Sequence, residues 1–152
     1  MRNINRTNET KFDKFNKKWG LQMVNMHEGE IVSVKASIDI VNIVLLGFDP
    51  IGIRVAIKAG FEINDIIHEY ELEADKILSK IAAPMCQCKK SVLSIVIREV
   101  LNYYFAENYR YDFCEAIAEE CLKNCKGIRD IKCYLEKRWD ALKSDSILIV
   151  IE

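Results

Sequence analysis

Ser91 to Glu107, SVLSIVIREVLNYYFAE, is apolar over most of the circumference it presents as a helix. Val92, Val96, Val100 and Tyr103 fall along one side, and Leu93, Ile97, Leu101 and Tyr104 along the next. Ser94, Arg98 and Asn102, spaced four apart, leave one narrow polar stripe. A helix of this kind has no broad wet face, so its neighbours must surround it. The Val- and Ile-rich first half also suits a buried strand; the length and the Leu-Asn-Tyr-Tyr-Phe-Ala continuation favour helix. The stretch therefore predicts a compact helical domain around a central buried helix at about 91–107.

The flanking sequence supplies helices to wrap it. From Thr10 to Met26, Phe12, Phe15, Trp19, Met23 and Met26 share a helical face, with Lys11, Lys14, Lys17 and Lys18 on the other side. Asp49-Pro50 starts a short helix over 51–58, with Asp as cap and Pro at its first position, and Gly60 stops it. Ile63, Ile66, Ile67, Tyr70, Ala74, Ile77, Leu78 and Ile81 mark the clearest helix, spanning 62–82 and closed by Pro84. Asp112, with Glu115 three residues on, has the spacing of a capping box for a helix that Gly127 ends. Ile131, Leu135, Trp139 and Leu142 describe the last one.

Two segments read as strand. In Glu30 to Ile40, Val32, Val34, Ala36, Ile38 and Ile40 alternate with Ser33, Lys35, Ser37 and Asp39, the pattern of a half-buried strand. Ile31, Val34, Ile38, Val41 and Leu45 also fit a heptad, which keeps helix as the alternative. Ser146 to Glu152 is rich in β-formers and too short for another apolar helix. Pairing 30–40 with 146–152 gives a small sheet, and an open edge on it predicts a homodimer. The expected fold is thus mainly α with a minor β element, α+β. At 152 residues it forms one globular domain over 10–152, after a flexible N-terminus at 1–9.

Charge narrows the function classes. With 22 basic and 23 acidic residues the formal net charge is -1, which gives no global drive toward nucleic acid or anionic lipid. The most apolar window, Ile38 to Ile57, is interrupted by Asp39, Asn42, Asp49, Pro50 and Arg54, so no membrane span is expected. The opening MRNINRTNET lacks the apolar core of a signal peptide, and with six cysteines this predicts a reducing, cytoplasmic setting.

Three groups of side chains are candidate sites. Cys114, Cys121 and Cys125 lie on one helical face, with Cys86 and Cys88 before the 91–107 helix and Cys133 on the last one. Gathered thiolates suit zinc or an iron–sulfur cluster. Phe113, Ile117, Ala118 and Leu122 flank the three helical cysteines, which favours plain core packing, with no cofactor expected. Cys133 points away from the Ile131–Leu135–Leu142 face and reads as an accessible thiol, an interface residue or a ligand. His68, Glu71 and Asp75, at i, i+3 and i+7, form a second candidate set for a divalent metal, against the ordinary reading of a charged helix surface. The turn Glu71-Leu-Glu-Ala-Asp75 resembles the Glu-x-x-x-Asp metal-binding turn of PhoU-like helical proteins. The likeness covers that one turn, with no second copy, so it implies neither their fold nor their function. Lys11, Lys14, Lys17, Lys18 and Trp19 form the third set, a basic amphipathic face for a partner or for nucleic acid.

No nucleophile–base arrangement accompanies the histidines, and the chain leans away from an enzyme. The expected function is a small cytosolic interaction or regulatory protein that binds a macromolecular partner or itself. Tyr103-Tyr104-Phe105 and Tyr109-Arg-Tyr111 supply interface-type residues. Metal or cluster binding through the cysteines, and nucleic-acid binding through the N-terminal helix, are the alternatives.

Overall fold

The computed structural model describes residues 34–81 and 83–144. Seven α-helices form in chain order: α1 (Val34–Phe48), α2 (Val55–Lys58), α3 (Ile63–Ile66), α4 (Glu71–Lys80), α5 (Lys90–Phe105), α6 (Tyr111–Lys123) and α7 (Ile131–Ser144). A 3-10 turn, Met85–Gln87, precedes α5. No strand occurs among the described residues, so the expected α+β fold is replaced by an all-helical one. Val34 to Ile40 is the first half of α1 rather than a strand. The alternation misled because Ser37 is buried alongside Val34, Ile38 and Ile40. Lys35 and Asp39, one helical turn apart, are the exposed residues of that half, and Ala36 is half-buried. The heptad reading of the same residues is the one the fold adopts. Residues 30–33 and 146–152, the N-terminal lysines and Trp19 lie outside the described residues.

The buried centre is α1, not the 91–107 helix. From Ile40 to Phe48 every residue of α1 is buried. The helix packs against α4, α6 and α7, and α5 packs against α4 and α6. Gly47 lets α7 approach closely, since a Cβ there would lie 3.1 Å from Cγ of Arg138. The Arg138 guanidinium then sits 4.0 Å above the Phe48 ring, and Trp139 donates its indole N–H to the Leu46 carbonyl at 3.0 Å. Phe48 meets Phe113 of α6 edge-on, and Phe113 stacks on Tyr109.

The expected helix over 62–82 is broken at 67–70. Asn42, buried in α1, explains the break: its amide donates to the Ile67 carbonyl and accepts from the Tyr70 N–H at 3.0 Å. One side chain thus supplies the hydrogen bonds that the interrupted backbone needs. Asp49 does similar work at the end of α1. It takes the left-handed conformation, φ 53°, which Asp tolerates better than most residues. Its carboxylate then accepts from the N–H groups of Ile53 (2.7 Å) and Arg54 (2.9 Å) and from the Tyr70 hydroxyl (2.7 Å). The expected helix over 51–58 capped by Asp49 is thus not formed: α2 begins only at Val55, its N-cap is Arg54, and Asp49 holds the turn before it instead.

At α6 the cap differs from expectation. Arg110 is the N-cap, and Asp112 sits in the first turn, bonded to the Arg110 guanidinium at 3.1 Å. That bond holds the Asp112 carboxyl below its ordinary value.

Candidate interaction surface

Helix α5 buries one face, Leu93, Ser94, Val96, Ile97, Val100 and Leu101. Its polar stripe is used by the chain itself. Arg98 donates from Nε to the Tyr109 carbonyl at 2.7 Å, and Asn102 accepts the Tyr109 N–H at 2.7 Å. The segment after α5 folds back along that stripe, starting from Ala106 in the left-handed conformation, φ 52°. What remains exposed sets three apolar residues beside Lys90, Ser91 and Glu99. Val92 is 44% exposed, Ile95 58% and Tyr103 80%, and at spacings of three and eight they share a face with Glu99 between them. Single exposed apolar side chains are ordinary, whereas an aligned set on one regular helix marks a surface.

Beside this face, α4 presents Leu72, Lys76 and Lys80, one turn apart from one another, with Leu72 exposed. Between the two helices lies a groove of about 340 Å³ lined by Lys76, Lys80, Glu99, Val100, Tyr103 and Tyr104. Lys80 and Glu99 span it with an exposed ion pair at 3.1 Å, and the Tyr103 and Tyr104 rings meet edge-on at 5.3 Å. Lys89 and Lys90, both exposed, stand at the N-terminal end of α5. The groove's rim therefore carries Lys76, Lys80 and Glu99, with Lys89 and Lys90 further off at the start of α5. Its chemistry suits an apolar segment bearing carboxylates.

The cysteines separate into distinct roles. Cys86 and Cys125 are joined as a disulfide, Cα–Cα 5.3 Å, which ties the 3-10 turn to the end of α6 in place of the free thiols expected. Cys114 and Cys121 are fully buried in the core, as the packing reading has it. Burial pushes the Cys114 thiol up to about 12 and raises that of Cys121 as well. Cys88 is half-buried and Cys133 exposed. Among the described residues, no three His, Cys, Asp or Glu side chains come together in a metal-site arrangement.

His68 falls in the 67–70 break, exposed, and pairs through Nδ1 with Glu71. Asp75 is buried. The break turns the i, i+3, i+7 set into a surface pair and an interior carboxylate. Of the aromatic runs, Tyr103 is the most exposed, Tyr104 and Phe105 are half-buried, and Tyr109 is fully enclosed. Tyr109 donates its hydroxyl to the Pro50 carbonyl at 3.1 Å, and burial pushes its phenol up to about 12.

Val92 and Ile95 of this surface read as core in the sequence, whereas Tyr103 and Tyr104 are among the interface-type residues it offers. Comparison of the chain with protein-family models, curated proteins and solved structures found no match. No helix among the described residues is long and apolar enough to cross a membrane.

Proposed function

We propose that this chain is a small interaction protein that binds a protein partner through the α4–α5 face. The observation that carries the reading is the aligned exposure of Val92, Ile95 and Tyr103 beside a lysine-rimmed groove. Aromatic residues are favoured at the centres of protein interfaces, with charges at the rim. A partner that lays an apolar segment along α5, with acidic residues toward Lys76 and Lys80, fits this arrangement. The cytoplasm is its proposed setting, for which the free thiols of Cys88 and Cys133 speak and against which the Cys86–Cys125 disulfide counts.

Photo-cross-linking in cells of the source organism tests it. A photoreactive residue at position 95 is expected to capture one protein species that a probe at Lys132, exposed on α7, does not. The double charge reversal Lys76→Glu/Lys80→Glu is expected to abolish that capture. A cross-link between two copies, with doubled mass in solution, identifies the partner as a second copy. Equal capture at the two positions, or none, overturns the reading. Zinc or iron–sulfur binding is the alternative and requires Cys86 and Cys125 as thiolates. Elemental analysis and an absorption spectrum of reduced, anaerobically purified protein decide that point.

A further inference from the structure

We propose that the Cys86–Cys125 pair is a reversible thiol–disulfide exchange site for low-molecular-weight thiols of the glutathione type, and that it clasps the connection into α5. The inference stands apart from the α4–α5 interaction reading. Three observations carry it.

The two sulfurs differ in access. Cys86 is half-buried between the buried Met85 and the exposed Gln87, whereas Cys125 is only 9% exposed just after α6. A small thiolate therefore reaches the Cys86 sulfur and expels Cys125. The fold also has other supports at this point: Met85 is buried in the core, and α5 packs directly on α6. Opening the bond frees the connection without removing the helices' apolar contacts. Finally, three of the four remaining thiols are held back from the exchange, while Cys133, exposed and unbridged on α7, reacts as a single thiol. Cys114 and Cys121 are enclosed, and burial raises the Cys88 thiol.

The exchange balances as two successive displacements. In the forming direction the Cys86 thiolate attacks one sulfur of glutathione disulfide. A mixed disulfide forms, and one glutathione thiolate leaves. The Cys125 thiolate then attacks the Cys86 sulfur and expels the second glutathione. The two protons lost by the cysteines end on the two glutathione thiols. The protein is oxidised by two electrons and glutathione disulfide is reduced by two. Reduction runs the same steps backwards and leaves the 83–89 connection held by the packing of Met85, Cys86 and Cys88 against the core.

The test uses the full chain equilibrated in graded mixtures of reduced and oxidised glutathione. Each sample is quenched with an alkylating reagent and read by peptide mass spectrometry, with parallel trypsin digestion. Cys86 and Cys125 are expected to pass together from alkylated to protected across the series, while Cys114 and Cys121 stay unmodified. Cleavage at Lys89 and Lys90 is expected to be at least tenfold faster in the reduced state, and Cys86→Ser is expected to match that rate in every buffer. A pair that stays oxidised in the most reducing mixture, or never forms in the most oxidising one, overturns the proposal. So does loss of the helical circular-dichroism signal on reduction, which marks a purely structural bond. A pair that titrates while cleavage at Lys89 and Lys90 stays constant overturns the clasp.

Discussion

Helices α1 and α5 are both apolar around most of their circumference, yet one is enclosed and the other keeps an open face. The difference lies in their neighbours. Helix α1 is packed by α4, α6 and α7, so its apolar residues from Ile40 to Phe48 all find partners. Helix α5 receives α4 and α6 on one side and the 106–110 return on its polar stripe, which leaves Val92, Ile95 and Tyr103 outside. Apolar composition therefore tells that a helix will be covered somewhere. Which side stays open is settled by the placement of the other helices.

The comparison breaks most readily at the centre of α1. Leu45→Ala is expected to cost about 3–5 kcal/mol, because Leu45 is fully enclosed and the surrounding helices close only partly over the cavity. Urea titration of the variant measures it, and a cost under about 1 kcal/mol would mean that α1 is not the packed centre. Ile97→Ala on the inner face of α5 belongs to the same class, since Ile97 is equally buried.

The next largest effect concerns how α1 ends. Asp49→Ala removes a carboxylate that accepts from Ile53, Arg54 and Tyr70, leaving donors unsatisfied in a largely buried corner. A loss of about 2–4 kcal/mol is expected, seen as a lower Tm. Asp49→Asn, which keeps an acceptor and tolerates the left-handed backbone, should recover part of it.

Helix α5 ends in the same backbone conformation with a residue that gains nothing from it. Ala106, exposed at φ 52°, contributes a Cβ where glycine is the usual choice. Ala106→Gly is expected to stabilise by up to about 1 kcal/mol, whereas Asp49→Gly should destabilise. Thermal melts of the two variants moving in the same direction would erase this contrast between the helix ends.

The smallest expected change is the most telling for function. Ile95→Ala should alter stability by no more than about 0.5 kcal/mol, because the side chain is mostly in water, while weakening capture of the partner. A cost comparable to that of Leu45→Ala would show that the outer face of α5 is covered within the chain itself.

Much of this fold is legible in the residues. The helical repeats over 63–66, 71–80, 90–105, 111–123 and 131–144 survive, whereas the cap expected of Asp49 becomes a set of bonds to the turn before α2. What escapes is set by contacts between distant residues. The 67–70 break depends on Asn42, which no local pattern around Tyr70 reveals. The disulfide joins cysteines 39 residues apart, and spacing alone does not select that pair from six. Ser37 made α1 resemble a strand because alternation assumes that polar means exposed, and a small hydroxyl side chain is easily taken into a helical core. The open face of α5 escapes for the converse reason, since Val92 and Ile95 read as core until their neighbours are placed.

The bond from Trp139 to the Leu46 carbonyl spans 93 residues, and it bears on the order in which the molecule is made. During synthesis α1 emerges ahead of every described helix that encloses it. At translation rates of about 5–20 residues per second, those 93 residues take roughly 5–20 s to follow. Through that interval the nascent chain exposes a helix with almost no polar face, the kind of surface that aggregates or recruits a holdase. Helix α4 arrives first and covers one side, α6 the next, and α7 closes the side that Gly47 leaves open for it. Chains cut short before α7 should therefore be sticky on the ribosome, and the last described helix is what makes the first one safe to release.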